Sequence, residues 1–210
     1  MGLLFGLLLG GLALLVLTPK YLWLEKLVSE KGLFLKAQTV RENLWEVQYY
    51  GGEVYYREAK AGNFTVVRIK FLPLPELTWR CSSGWFKVSP NLPEVGLSLE
   101  ASDFSCSSLF RKGEWKVKLL REEVFGRAVL YGVKIERGLP AEELERLTLR
   151  FEGKRVYATV EAGGLRLSGE GRINWKLADP FSSTIYLTLK GQGFTLTLKG
   201  PLFSPRAEVR

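Results

Sequence analysis

From Leu165 onward, apolar side chains take every second place: Leu165 and Leu167, then Ile173, Trp175 and Leu177, then Ile185, Leu187 and Leu189, then Phe194, Leu196 and Leu198. A period of two is that of a β-strand, whose successive side chains point to opposite faces, and the residues between them (Arg166, Asn174, Lys176, Thr188, Thr195, Thr197) are polar. The pattern predicts a sheet with one apolar and one wet face. Its breaks, at 169–171, 178–183 and 191–193, carry the Gly, Pro, Asp and Ser residues of tight turns and predict an antiparallel meander.

The same grammar extends upstream. Residues 43–50 and 53–59 read as a hairpin whose turn is Gly51-Gly52, and 62–71 leads into Leu-Pro-Leu-Pro-Glu, where two prolines exclude a central ladder position. Short alternating runs at 76–81, 84–89, 94–102, 103–106, 114–119 and 127–137 sit between Gly, Ser, Asn or Pro. The spacing predicts a mainly β fold, an antiparallel twisted sheet or groove-like sandwich. One short helix is expected over 139–147, where Pro140 stands near the first turn, Glu142 and Glu143 follow, and Arg146 comes late, as the helix dipole favours.

The 210-residue chain contains no histidine, which removes the commonest general base and the commonest metal ligand. No nucleophile motif, metal spacing or nucleotide loop appears, so no catalytic residue, cofactor or metal is expected. The best carboxylate pairs for chemistry, Glu143 with Glu145 and Glu161 with Glu170, read as solvated faces. The net charge of +8 is spread along strands and alternates with Glu, without a basic run or motif, so nucleic acid is not an expected partner. Acidic residues are almost all Glu, a bias shared with hyperthermophile proteins.

Gly2 to Leu17 is sixteen residues without a charge. At 1.5 Å per residue that covers about 24 Å, short of the roughly 30 Å hydrocarbon core, so the expected transmembrane span runs from about Leu3 to Leu22 and ends on Tyr21 and Trp23 at the membrane interface. No small-x-small cleavage site follows, which argues for an anchor over a signal peptide. Tyr21, Leu24, Leu27 and Val28 then mark one side of a short amphipathic helix. The expected organisation is an anchor with a juxtamembrane helix over 1–31 and a β-rich domain over 32–210. Lys20, Lys26 and Lys31 follow the span, and by the positive-inside rule alone they place the body in the cytoplasm.

Cys81 and Cys106 each stand in register with apolar neighbours and can meet on one inner face. Two outcomes are open: a disulfide, which needs an oxidising compartment, or two buried thiols acting as small hydrophobes.

The apolar N-terminus ending in Thr-Pro-Lys-Tyr-Leu, the strand GLFLKA, the segment LPAEELERL before GLRLSGEGRINW, and the closing LTLKGPLFSPRAEVR resemble the protein N family of the bacterial type II secretion system in its short form. The close, through Gly200, Leu202, Phe203, Ser204, Pro205 and Arg206, is similar to that of AsmA-like β-repeats. The resemblance implies a bitopic inner-membrane protein with a periplasmic body, working through protein partners in an envelope complex. A lipid or lipopolysaccharide carrier with an apolar β-groove is the alternative. The strip Trp175, Leu187, Phe194, Leu196 and Leu198 is the candidate partner edge or apolar groove for either function; Trp175 is expected in the core and the strip toward the last strand at least partly exposed, because Phe194–Leu198 has no strong strand after it.

Overall fold

The structure, a computed structural model, describes residues 19–30, 32–56, 58–92, 94–134, 143–177, 182–191, 193–201 and 206–209. The expected membrane span lies mostly outside the described residues, and among these no helix is long and apolar enough to cross a membrane. The chain enters at Pro19 and forms helix α1, Lys20–Ser29.

Among the described residues fourteen strands follow: β1 Leu33–Glu42, β2 Glu46–Tyr56, β3 Ala59–Lys70, β4 Glu76–Arg80, β5 Trp85–Asn91, β6 Gly96–Phe104, β7 Phe110–Leu120, β8 Val124–Lys134, β9 Glu143–Gly153, β10 Arg155–Ala162, β11 Leu165–Asn174, β12 Thr184–Gly191, β13 Phe194–Pro201 and β14 Arg206–Val209. They make one sheet in strict sequence order, and the strands alternate in direction throughout. The mainly β, antiparallel expectation holds, with a single continuous sheet rather than two separately built layers.

Two expected breaks are strand interior instead. Gly51 and Gly52 lie inside β2, and the ladder to β1 runs past them from Lys36 opposite Glu53 to Thr39 opposite Tyr50. Glycine is needed there for room: a Cβ on Gly52 would stand 2.1 Å from the Lys36 carbonyl oxygen. Gly169 and Gly171 likewise lie inside β11, opposite Leu189 and Leu187 of β12. Glycine inside a strand marks close backbone approach and bending as often as a turn. The helix expected over 139–147 is absent from its described part, because Glu143 to Leu147 belong to β9, with Leu144 opposite Val133 and Leu147 opposite Leu130. About two turns of helix are marginal alone, whereas β8 and β10 offer this segment ladder bonds on both sides.

The core is a series of clusters along the curled inner face. α1 lays Tyr21 and Leu24 on Val47, Tyr49, Val54, Phe64 and Val67 of the first three strands. Phe104 and Ala101 gather the aromatics of β4 to β7. Leu167, Leu187, Leu189 and Leu196 pack with the alternate residues of β10. The sheet also meets itself: past β11 the chain crosses to the β7–β8 turn, where the Leu177 N–H donates to the Arg121 carbonyl at 3.2 Å. Trp175 there packs with Val117, Leu119 and Val124.

Candidate functional site

The two cysteines are joined in a disulfide, with Cα atoms 5.5 Å apart. Cys81 follows the last residue of β4 and Cys106 lies two residues past β6. β4 is five residues long and covers only the second half of β3, from Val66 to Lys70, on its β3 side. The segment around Cys106 fills the vacant half: Asn63 donates its N–H to the Cys106 carbonyl at 2.8 Å, and Ser108 donates to the Ala61 carbonyl at 3.0 Å. Phe104 stands beside this junction, edge-on to Trp79 at 5.4 Å and to Trp115 at 5.5 Å between ring centroids.

The strip that the sequence offered as an edge or groove is largely interior. Trp175 is 5% exposed, and Leu187 and Leu196 are each 2% exposed. Leu198 is partly buried against the same cluster. Phe194 opens β13 opposite Gly191, and its side chain is outside the described residues. β13 is no free edge, which corrects the expectation: β14 pairs with it from Leu196 to Lys199. At four residues, β14 is too short to stand out in sequence.

Of the two expected interface aromatics, Tyr21 turns inward to the core beneath α1, while Trp23 is 67% exposed. Leu27, expected on the Tyr21 side, projects outward, because six residues at 100° each carry it well off that face. Beneath α1, Tyr49 is fully buried with its hydroxyl unpartnered among the described residues. Burial, followed by the nearby carboxylates Glu25 and Glu42, pushes that phenol up to about 12.

The carboxylate pairs considered for chemistry serve separate local contacts. Glu143 pairs with Arg111 at 2.6 Å, Glu145 accepts the Gly163 N–H at 3.2 Å, and Glu161 stands 3.9 Å from Arg166. Among the described residues no three Cys, Asp or Glu side chains come together as a metal site.

A feature that the sequence reading missed lies at the end of the sheet where β1 turns into β2, β3 into β4 and β5 into β6. Leu44 and Trp45 cap the first hairpin, Leu72 and Leu74 the second, and Leu92 and Val95 the third, all 46% to 67% exposed. These turns are tied down. The Asn43 side-chain carbonyl accepts the N–H groups of Trp45 at 2.8 Å and Glu46 at 3.0 Å, and Phe71 donates its N–H to the Trp45 carbonyl at 2.9 Å. Beneath each tip a carboxylate is neutralised: Glu46 by Arg68 at 2.5 Å, Glu76 by Lys87 at 2.7 Å, and Glu94 by Lys118 at 3.3 Å. Burial opposes ionisation at Glu46, yet Arg68, Gln48 and Asn43 hold it below the usual carboxylate range. Lys87 does the same for Glu76, and Asn91 with Lys118 for Glu94. The available signal was leucine and tryptophan in turns, where Gly, Asn, Asp and Ser normally stand.

A protein of Aquifex aeolicus (strain VF5), described as uncharacterized, is 28% identical to this chain over 215 aligned residues, covering 99% of the chain and 92% of that protein. No protein-family model matches the chain, and no solved structure matches it.

Proposed function

We propose that the protein is a non-enzymatic, membrane-anchored component of a cell-envelope assembly, its body on the periplasmic side, acting through contacts with other proteins of a type II secretion or related machine. The observation that carries this reading is the filled interior of the C-terminal half. Trp175, Leu187 and Leu196 are buried by the chain's own strands, so what that half offers a neighbour is its charged outer face and not an acyl-chain groove. The Cys81–Cys106 disulfide supports an oxidising compartment, and the resemblance supplies the kind of machine.

The lipid-carrier reading keeps one observation in its favour. Across β4 to β6 the apolar residues Leu77, Trp79, Phe86, Val88, Leu97 and Leu99 are only half-buried, a less sealed stretch in the middle of the sheet. In-cell crosslinking from photoreactive residues at the outward positions Arg172 and Lys190, together with native mass spectrometry of the detergent-extracted full chain, separates the two. Protein adducts without retained lipid support the assembly role. Stoichiometric co-purified phospholipid and no protein adduct replace it with the carrier.

A further inference from the structure

We infer that the tips of the first three hairpins form a membrane-contact surface on the body itself, seated in the lipid headgroup and upper acyl region beside the anchor; this rests on the anchor in the proposed function. In a meander of alternating strands, the turns after odd-numbered strands all lie at one end. Register brings two of the tips level, since Glu46 stands opposite Lys70, and Lys70 opposite Glu76. The third tip rises from Asn91 opposite Gly96, further along the same end.

The occupant is a bilayer because of where the chain enters. α1 starts at this end, where the Tyr21 N–H donates to Glu42 at 3.3 Å, and its last turn lies against the start of β1 at Leu33 and Leu35. The uncharged stretch from Gly2 to Leu17 therefore joins the body at the end that carries the apolar tips. Trp23 on α1 and Trp45 on the first tip are both exposed there, and tryptophan is favoured at the headgroup level.

Charge gives the surface a boundary. Lys20, Arg41 and Lys70 stand just behind the apolar tips, and from Lys70 to Leu72 extended chain covers about 7 Å, the depth at which interfacial apolar groups bury while their basic neighbours remain among anionic headgroups. Further along the same end the character reverses. The β7–β8 turn is Arg121-Glu122-Glu123, with Glu122 paired to Lys154 at 2.8 Å. At the opposite end the described turns include Ser82-Ser83-Gly84 and Gly163-Gly164, with Leu27, Phe34 and Leu109 the large apolar residues exposed at that end among the described residues. Six exposed apolar residues on three adjacent tips, the first two joined by the Phe71 N–H to Trp45 carbonyl bond, form a patch of the kind that marks a contact surface, not the scatter found on ordinary protein surfaces.

The test uses the full chain in vesicles of phosphatidylethanolamine and phosphatidylglycerol, with Cys81–Cys106 left oxidised and a nitroxide on one added cysteine at position 44, 72, 92 or 190. Power saturation then compares access of oxygen with access of a water-soluble nickel complex. At 44, 72 and 92 oxygen should be favoured several-fold over nickel, and at the exposed Lys190 of β12 the preference should reverse. In the chain carrying Leu72→Glu and Leu74→Glu, whose replaced side chains are exposed, the melting temperature should hold while the labels at 44 and 92 become wet. Tip labels as open to nickel as position 190, in a chain that floats with the vesicles, overturn the tip contact and leave the anchor standing. A chain that does not float overturns both.

Discussion

Asn63 donates its backbone N–H to the carbonyl of Cys106 at 2.8 Å, joining β3 to a segment that belongs to a later part of the meander. It makes good the shortness of β4, which leaves the first half of β3 without a neighbour on that side. The disulfide from Cys106 back to Cys81 fixes the same segment to the end of β4, so one covalent bond secures two partners of β3.

Replacing both cysteines by alanine should therefore do more than release loop entropy. With the bridged positions 25 apart in sequence, loop closure gives a loss of about 3 kcal/mol, or roughly 10 °C in melting temperature for a domain of this size. Hydrogen exchange at the Asn63 and Ser108 amides should rise along with it. A melting temperature within about 2 °C of the parent would show that the ladder bonds hold the junction unaided.

Tyr49 gives a prediction at high pH. Its folded-state value is raised from 10 to about 12, so the stability it contributes is fully present below pH 10 and is lost as pH rises through about 12. Over that window the unfolded chain releases the proton first, at a cost of roughly 2–3 kcal/mol to the folded state. Tyr49→Phe should flatten this part of the stability–pH curve. At neutral pH it should be neutral or stabilise by about 1 kcal/mol, because the buried hydroxyl has no partner among the described residues. Urea titrations of both proteins at pH 8 and 11 decide it, and parallel curves would mean that the phenol reaches water.

Gly171 tests the reading of glycine inside a strand. A Cβ there would lie 2.0 Å from the Tyr186 carbonyl oxygen and 2.6 Å from the Leu187 Cα, both backbone atoms that cannot swing aside. Gly171→Ala should destabilise by about 1–3 kcal/mol, the usual cost of overpacking, in thermal melts of the full chain. A neutral or stabilising result, as expected at an unconstrained glycine, would show that β11 and β12 are less closely apposed.

The strand content was legible because period two recurs from Leu33 onward, and Leu187, Leu189 and Leu196 sit on the inner face as their spacing requires. What misled was glycine. In sequence a pair such as Gly51-Gly52 has one meaning, whereas in a sheet it depends on a neighbour such as Lys36, whose carbonyl occupies the space where a Cβ would go. The segment 143–147 misled for a related reason: its local preference for helix is outweighed by pairing with Leu130 and Val133, and no local window contains those residues. The hairpin tips are not legible in sequence, because single leucines in turns carry little weight until topology places three turns side by side.

Leu187 decides between a filled interior and a groove. It lies opposite Gly171 on one side and Leu198 on the other, and it is 2% exposed, while its neighbour Tyr186 is 55% exposed on the opposite face. Leu187→Ala should cost about 2–5 kcal/mol through lost burial and the cavity left behind. Leu187→Gln should cost at least as much, since its amide would enter the same space without a partner, and an unbonded buried amide adds its own desolvation penalty. Tyr186→Ala should stay within about 0.5 kcal/mol as a surface change. Urea unfolding midpoints at unchanged slope measure all three. If the glutamine variant is within about 1 kcal/mol of the parent while the alanine variant is also mild, the face is already wet in solution. The interior would then be open to solvent, and the same residues would become the floor of a lipid groove.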